Sequence, residues 1–191
     1  MYPLQAVVCD DNLNIYQAAS KVYPDSSIQL CHNHYKEAIR NILQVRTDET
    51  FKPFMRQIEL LFEKRRSRTE FIQVGSKLAY HFGNNSICTG ILADIQRRLP
   101  LLTGYMYQKR IPRTTNLIES FNSHLEGRLK TIKGFESFKH ADLWLNGYFL
   151  RRRLKIFTDC EKPFTRLNGK CSLEQTLSDS SNIELLLKLL R

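Results

Sequence analysis

Two carboxylate positions and one Cys-x-x-His pair carry the chemistry this sequence offers. Asp10 and Asp11 follow a short apolar run, Gln5 to Cys9 with Ala6, Val7 and Val8 in a row, which reads as a buried strand. A carboxylate at the carboxyl end of such a strand is fixed by the sheet and left open by the loop beyond it. The structural alternative is that Asp11 or Asn12 N-caps the next helix. Glu119 lies near the start of a second stretch, Pro112 to Phe135, PRTTNLIESFNSHLEGRLKTIKGF. There Leu117, Phe121, Leu125 and Leu129 recur every four residues, an apolar stripe down one helix face that is expected to be buried. Glu119, Asn122, Ser123 and Glu126 fall off the stripe, so a carboxylate stands near the helix start on the open side. The competing reading makes Asn116 the N-cap and Glu119 the third helical position of a capping box. Cys31 and His34 are half of a tetrahedral zinc site. No second pair follows at finger spacing, and Cys9, His32 or Cys88 would have to complete it in space. A structural pair lining the site is preferred here to zinc.

These residues need elements to position them. After the first strand, Asn12 to Tyr23 carries Ile15, Ala18, Ala19 and Val22 at helical spacing, and Pro24 stops it. Ser27 to Cys31 reads as a second strand with Ile28 and Leu30 inward. The helix beyond it runs to about Gln44 and is expected to bury Ala38, Ile39, Ile42 and Leu43. From Arg46 to about Tyr107 the texture is helical without strand patterns. One stripe is Phe54, Ile58, Leu61 and Phe62; another is Phe71, Val74, Leu78 and Phe82. A third is Ile87, Ile91, Ile95 and Leu99, closed by Pro100. Between the first two lies Lys64-Arg65-Arg66-Ser67-Arg68, either a phosphate contact or a solvated turn. Glu136 to Phe157 reads as a further long helix with Phe138, Ala141, Leu145 and Tyr148 inward. It ends in Arg151-Arg152-Arg153-Leu154-Lys155. Cations suit a helix C-terminus, but four in five positions exceed that need and point to phosphate. A short amphipathic helix near Ile183 to Leu190 closes the sequence.

Composition narrows the classes. The 191 residues are 42% hydrophobic and 25% charged, as in a globular chain with a real core. No apolar run approaches a membrane span. Lys and Arg outnumber Asp and Glu, 29 to 19, and the sequence pI is about 9.5, so a polyanion is the natural partner. The five scattered cysteines form no disulfide framework and suggest a reducing, cytoplasmic setting.

The wording Thr-Thr-Asn-Leu-Ile-Glu-Ser-Phe-Asn, then Arg-Leu-Lys and Lys-Gly-Phe-Glu-Ser, resembles the block around the last catalytic acid of DDE transposases, most closely the Mutator-like superfamily of bacterial insertion sequences. The order of strand, Asp, helix, strand, Cys-x-x-His and helix is similar too, as is the tail Phe164 to Lys170. The resemblance implies that Glu119 is the third metal-binding carboxylate. Asp10 is implied as the second, by the family's Val-Val-x-Asp pattern, with Asp11 as its alternative. Cys31 and His34 match the family's Cys-x-x-His pair. The implied cofactor is Mg2+ or Mn2+ on Asp10 and Glu119. The implied partner is DNA, as transposon ends and target, with Arg113, Lys130, Lys133, Arg151, Arg152, Arg153 and Lys155 as candidate phosphate contacts. A homo-oligomer is implied for the full-length form. The expected fold is α+β and helix-rich, a partial RNase H-like core interrupted by an all-helical insertion. The expected divisions are 1–45, 46–107, 108–157 and 158–191. In the family the first acid lies several tens of residues before the second, so the expectation is that this sequence corresponds to the C-terminal part of the catalytic domain and does not cut DNA alone. The alternative function is a non-catalytic basic DNA-binding module.

Overall fold

The computed structural model describes residues 4–63, 66–107 and 111–175. Lys64 and Arg65 of the basic run, and the closing helix expected at 183–190, lie outside the described residues. The chain forms two units, Met1–Leu125 and Glu126–Arg191.

The first unit begins with a βαβ arrangement. Strand β1 (Ala6–Cys9) pairs in parallel with β2 (Ser27–Leu30), in the register Ala6 to Ser27 and Cys9 to Leu30. Helix α1 (Leu13–Val22) connects them, as parallel pairing requires a crossover. It starts on Asn12, whose side chain accepts from the Asn14 amide at 2.9 Å. The cap is therefore Asn12, which leaves both Asp10 and Asp11 free of that duty. The helix was expected to bury Ile15 and Val22, but none of its residues is buried. Among the described residues nothing covers that face.

Strand β2 departs from the expected alternation. Leu30 is buried and Ile28 packs on the core, but Gln29 between them is fully buried as well. Its amide nitrogen donates to the carbonyls of Leu30 and Leu102, at 2.7 and 3.3 Å, and its oxygen accepts from the Tyr105 amide at 2.9 Å. A buried parallel strand is covered on both faces, so a polar residue there must find partners inside.

Helices α2 (His32–Leu43), α3 (Lys52–Glu63), α4 (Arg68–Phe82), α5 (Ser86–Arg97) and the short α6 (Leu99–Leu102) follow, then a 3-10 turn at Gly104–Met106. On α2 the buried face is His32, Tyr35, Ile39 and Leu43. The expected Ala38 and Ile42 point out, Ile42 with 62% exposure, because the polar-looking His32 and Tyr35 take the inward positions. The three stripes of α3 to α5 pack as their spacing requires: Phe54, Ile58, Leu61, Phe62, Phe71, Leu78, Ile91, Ile95 and Leu99 are all buried. Ile87 is the exception, exposed at the first turn of α5. Each large buried side chain contributes about 1.5–3 kcal/mol. Pro100 stands in the first turn of α6, where its missing amide costs nothing. One apolar cluster runs from Cys9 and Leu30 of the strands through α2 to Leu102, so strands and helices share a core.

Helix α7 (Asn116–Leu129) has no buried residue; Leu117 is 84% exposed, and Phe121, Leu125 and Leu129 are half-buried. The expected burial of its stripe is therefore not met among the described residues. In the second unit, α8 (Phe138–Leu154) starts on Ser137, which accepts from the His140 amide. It buries only Leu154; Phe138, expected inside, is 90% exposed, and Ala141, Leu145 and Tyr148 are half-buried. Beyond α8, Ile156 pairs with Cys171, and Leu154, Cys171 and Leu173 form a small cluster. The result is a helix-rich α+β chain whose described sheet has two parallel strands.

Candidate functional site

The carboxyl ends of the two strands supply the first half of the site. Cys9 and Leu30 are register partners, so Asp10 and Cys31 leave the sheet side by side. The Cys31 amide donates to the Cys9 carbonyl at 2.8 Å, carrying the ladder one step further. Helix α2 starts at once, which puts His34 one turn beyond Cys31 on the same face. Between them His32 is a core residue: its Nε2 lies 2.8 Å from the Leu102 carbonyl, and its ring meets the rings of Phe62 and Tyr105 edge-on. Burial pushes its pKa down to about 4, against the pull of the Leu102 carbonyl, so it is neutral at pH 7.

The second half arrives from 111–119. Ile111 and Thr115 are buried. The His32 amide donates to the Arg113 carbonyl at 2.8 Å, and the Asn33 amide group donates to Asn116 Oδ1 at 2.8 Å. The Thr115 amide donates to Cys31 Sγ at 3.3 Å. Its hydroxyl is the centre of the site, 3.2 Å from Cys31 Sγ, 3.4 Å from His34 Nδ1 and hydrogen-bonded to Glu119 Oε1. The capping-box reading of Glu119 is corrected here. Helix α7 begins at Asn116, whose side-chain oxygen is taken by Asn33, and the Glu119 carboxylate is held by Thr115. A closed capping box is formed instead by Ser67 with Glu70, at the start of α4.

Asp10 and Glu119, more than one hundred residues apart in the chain, thus meet at one nitrogen. His34 Nδ1 lies 3.2 Å from Asp10 Oδ1 and 3.7 Å from Glu119 Oε1. The two carboxylate oxygens are therefore within about 7 Å of each other. All three side chains are about half exposed, at 51%, 49% and 43%, so a large ligand can reach them. The Cys31 bond and the two carboxylates raise the His34 pKa, against a smaller push from burial. Burial pushes the Cys31 thiol up, but the Thr115 and His34 hydrogen bonds outweigh it and bring the net pKa down. Cys31 Sγ, a His34 ring nitrogen and a Glu119 oxygen lie within 4.8 Å of one another, the donor types that hold divalent metals.

Asp11 is engaged elsewhere. It pairs with Arg98, which also bonds Asp94, and Asp94 in turn accepts from the Tyr35 hydroxyl at 2.7 Å. This network ties the turn after β1 to α5 and α2, and it separates the roles of the two adjacent aspartates. Of the basic candidates, Arg113 donates to the carbonyls of Phe62 and Glu63 at the end of α3, a C-terminal cap. Arg66 does the same for Leu60 and Leu61. Lys130, Lys133, Arg151, Arg153 and Lys155 are exposed, and Arg152 is half-buried. Thr115 and Asn33 were missed by the sequence reading. Each neighbours a residue it singled out, but nothing in spacing marks a partner some eighty positions away.

A strand pair with an acid and a thiol at its carboxyl ends, closed by a helix that brings a second acid, defines a half-exposed, carboxylate-rich centre. The family model described as Transposase, Mutator family, matches residues 3–141, well over half of the chain and every residue of this site. The chain belongs to the Mutator family of transposases. Comparison with curated proteins and with solved structures found no match. No helix among the described residues is long and apolar enough to cross a membrane.

Proposed function

We propose that Asp10 and Glu119 hold the divalent ion, Mg2+ or Mn2+, with which a DDE-type transposase cleaves and joins DNA. The observation that carries this reading is their convergence on His34 at the carboxyl ends of parallel strands. The donor set suits such an ion: magnesium takes few protein oxygens and keeps several waters, and both carboxylates are open to water. When bound, the ion polarises the scissile phosphate and sharpens the attacking oxygen. The chain's own residues do the positioning. Strand β1 fixes Asp10, Thr115 aims Glu119, and His34 between the two carboxylates offsets their mutual repulsion. The family's first acid and an RNase H-like arrangement of the core belong to the same reading. The basic residues Lys130, Lys133, Arg151, Arg152, Arg153 and Lys155 serve it as phosphate contacts. Homo-oligomers joining transposon ends to target complete it.

The test is a Mn2+ titration followed by the loss of the free-ion electron paramagnetic resonance signal. Wild type takes up the ion, and Asp10→Asn and Glu119→Gln each weaken uptake. Equal uptake by both variants would remove the metal role and leave a non-catalytic basic DNA-binding module.

A further inference from the structure

The donor atoms of this site are more varied than oxygen chemistry calls for. Cys31 Sγ, a His34 ring nitrogen and a Glu119 oxygen lie within 4.8 Å of one another, with Asp10 Oδ1 3.2 Å from His34 Nδ1. Thiolate and imidazole are ligands of zinc-class ions, bound at about 2.3 and 2.0–2.1 Å in four-coordinate sites, and magnesium has no use for them. The Thr115 hydroxyl stands among all three groups, at 3.2 Å from the sulfur and 3.4 Å from the nitrogen, hydrogen-bonded to the carboxylate. A hydroxyl has one proton to give. The sulfur takes a further bond from the Thr115 amide and one with the His34 ring, yet all three donor atoms still crowd around that one hydroxyl, where a cation would answer them at once.

We propose that Cys31, His34 and Glu119 form a zinc-class site, with Asp10 or water as fourth ligand, whose occupant takes Glu119 away from Mg2+ or Mn2+. The Thr115 side chain turns to another staggered rotamer as the ion enters. The zinc site rests on the donor atoms alone. The competition for Glu119 rests on the proposed function above. Zinc then acts as an antagonist of the hard-metal form, so that thiophilic ion and magnesium set two exclusive states of one centre.

The experiment uses Co2+ as the probe with the reduced, metal-free chain. Tetrahedral cobalt gives intense visible bands, and a cysteine ligand adds a charge-transfer band in the near ultraviolet. The expected result is a single saturable site with both features, reversed by Zn2+. Cys31→Ser removes the charge-transfer band, and Cys160→Ser leaves it intact. His34→Gln and Glu119→Gln change half-exposed positions, so the fold survives. Each should weaken Co2+ by no less than the ~10–100-fold that loss of an outer partner costs. A charge-transfer band that persists in Cys31→Ser overturns the proposal, as does unchanged cobalt affinity in His34→Gln and Glu119→Gln. Should Cys31→Ser misfold, those two variants decide alone. Excess Mg2+ should lower Co2+ affinity in wild type. A cobalt site that ignores magnesium supports the zinc-class site and counts against the Asp10–Glu119 reading.

Discussion

Replacing Thr115 by Val removes one hydroxyl and puts a methyl group in its place. The hydroxyl bonds Glu119 Oε1 and lies 3.2 Å from Cys31 Sγ. A methyl carbon at the same point needs about 3.5–4.0 Å from its neighbours, so the carboxylate must retreat by about 1 Å. The lost hydrogen bond to a charged acceptor is worth about 1.5–3 kcal/mol when dry. Glu119 is half exposed, so water replaces much of it, and the loss in stability should be nearer 1 kcal/mol. That is a fall of about 2–4 °C in Tm for a chain of this size. The effect on metal should be larger, because an outer partner that orients a ligand is worth ~10–100-fold in affinity. The assay is the Mn2+ titration beside a thermal melt. Thr115→Ser keeps the hydroxyl and should retain most of the affinity. An unchanged Mn2+ affinity in Thr115→Val, or an equal loss in Thr115→Ser, would refute the claim that this hydroxyl aims Glu119.

Further predictions probe the frame around the site. A Cβ added at Gly104 would lie 2.6 Å from the Ile28 carbonyl oxygen, so Gly104→Ala should cost about 1–3 kcal/mol in urea unfolding, and a neutral result would contradict the close approach. Burial pushes the Asp94 pKa up, but hydrogen bonds from Arg97, Tyr35 and Arg98 outweigh it and hold the carboxyl below its usual range. A group with a depressed folded pKa stabilises above its unfolded pKa, and that contribution fades as pH falls through the folded one. Asp94→Asn should therefore cost about 1–2 kcal/mol at pH 7, shrinking below about pH 4, and thermal melts across pH 3–7 check it. Alanine at Arg151, Arg152, Arg153 and Lys155 should weaken binding to all DNA sequences alike and flatten the salt dependence by about one unit of slope per lost contact. An unchanged slope would remove the phosphate role of these cations.

Much of this architecture was legible because the relevant signals are local. The three stripes of α3 to α5 have the right period and bury as read except at Ile87, with Val74 and Phe82 half-buried. The end of the first strand was found because the apolar run to Cys9 gives way to Asp10, and the second was read one residue too long, to Cys31, where the strand stops at Leu30. What failed was whatever depends on a neighbour. The stripes of α1 and α7 have helical spacing, yet spacing says only which residues share a face, not that another element covers it. Gln29 was passed over because alternation assigns polar residues outward, while its burial depends on Leu102 and Tyr105, over seventy positions away. Glu119 read equally as a helix cap, since the capping signature is the same four residues whether or not the box closes. The convergence of Asp10 with Glu119 came from resemblance, not from spacing.

The site is held unequally, and this bears on how it would work. Asp10, Cys31 and His34 hang from the strand ends and from α2, whose inner face is locked by His32, Tyr35, Ile39 and Leu43. Glu119 stands on α7, none of whose residues is buried, and it is held by polar contacts with the Thr115 hydroxyl and the His34 ring, beside the Asn33–Asn116 bond at the first turn. Packed cores resist displacement, whereas a few polar bonds at a half-open surface exchange with water at little cost. Three of the four candidate ligands are therefore rigid, and the fourth is adjustable by rotation about Thr115. A centre built this way can accept ions of different size and preferred geometry by moving one carboxylate, with the Cys31–His34 side fixed. It follows that substitutions at Thr115 or Asn33 should alter which metal the site prefers. Substitutions in the face of α2, such as Ile39→Ala, should instead lower stability by about 2–5 kcal/mol and weaken all metals alike.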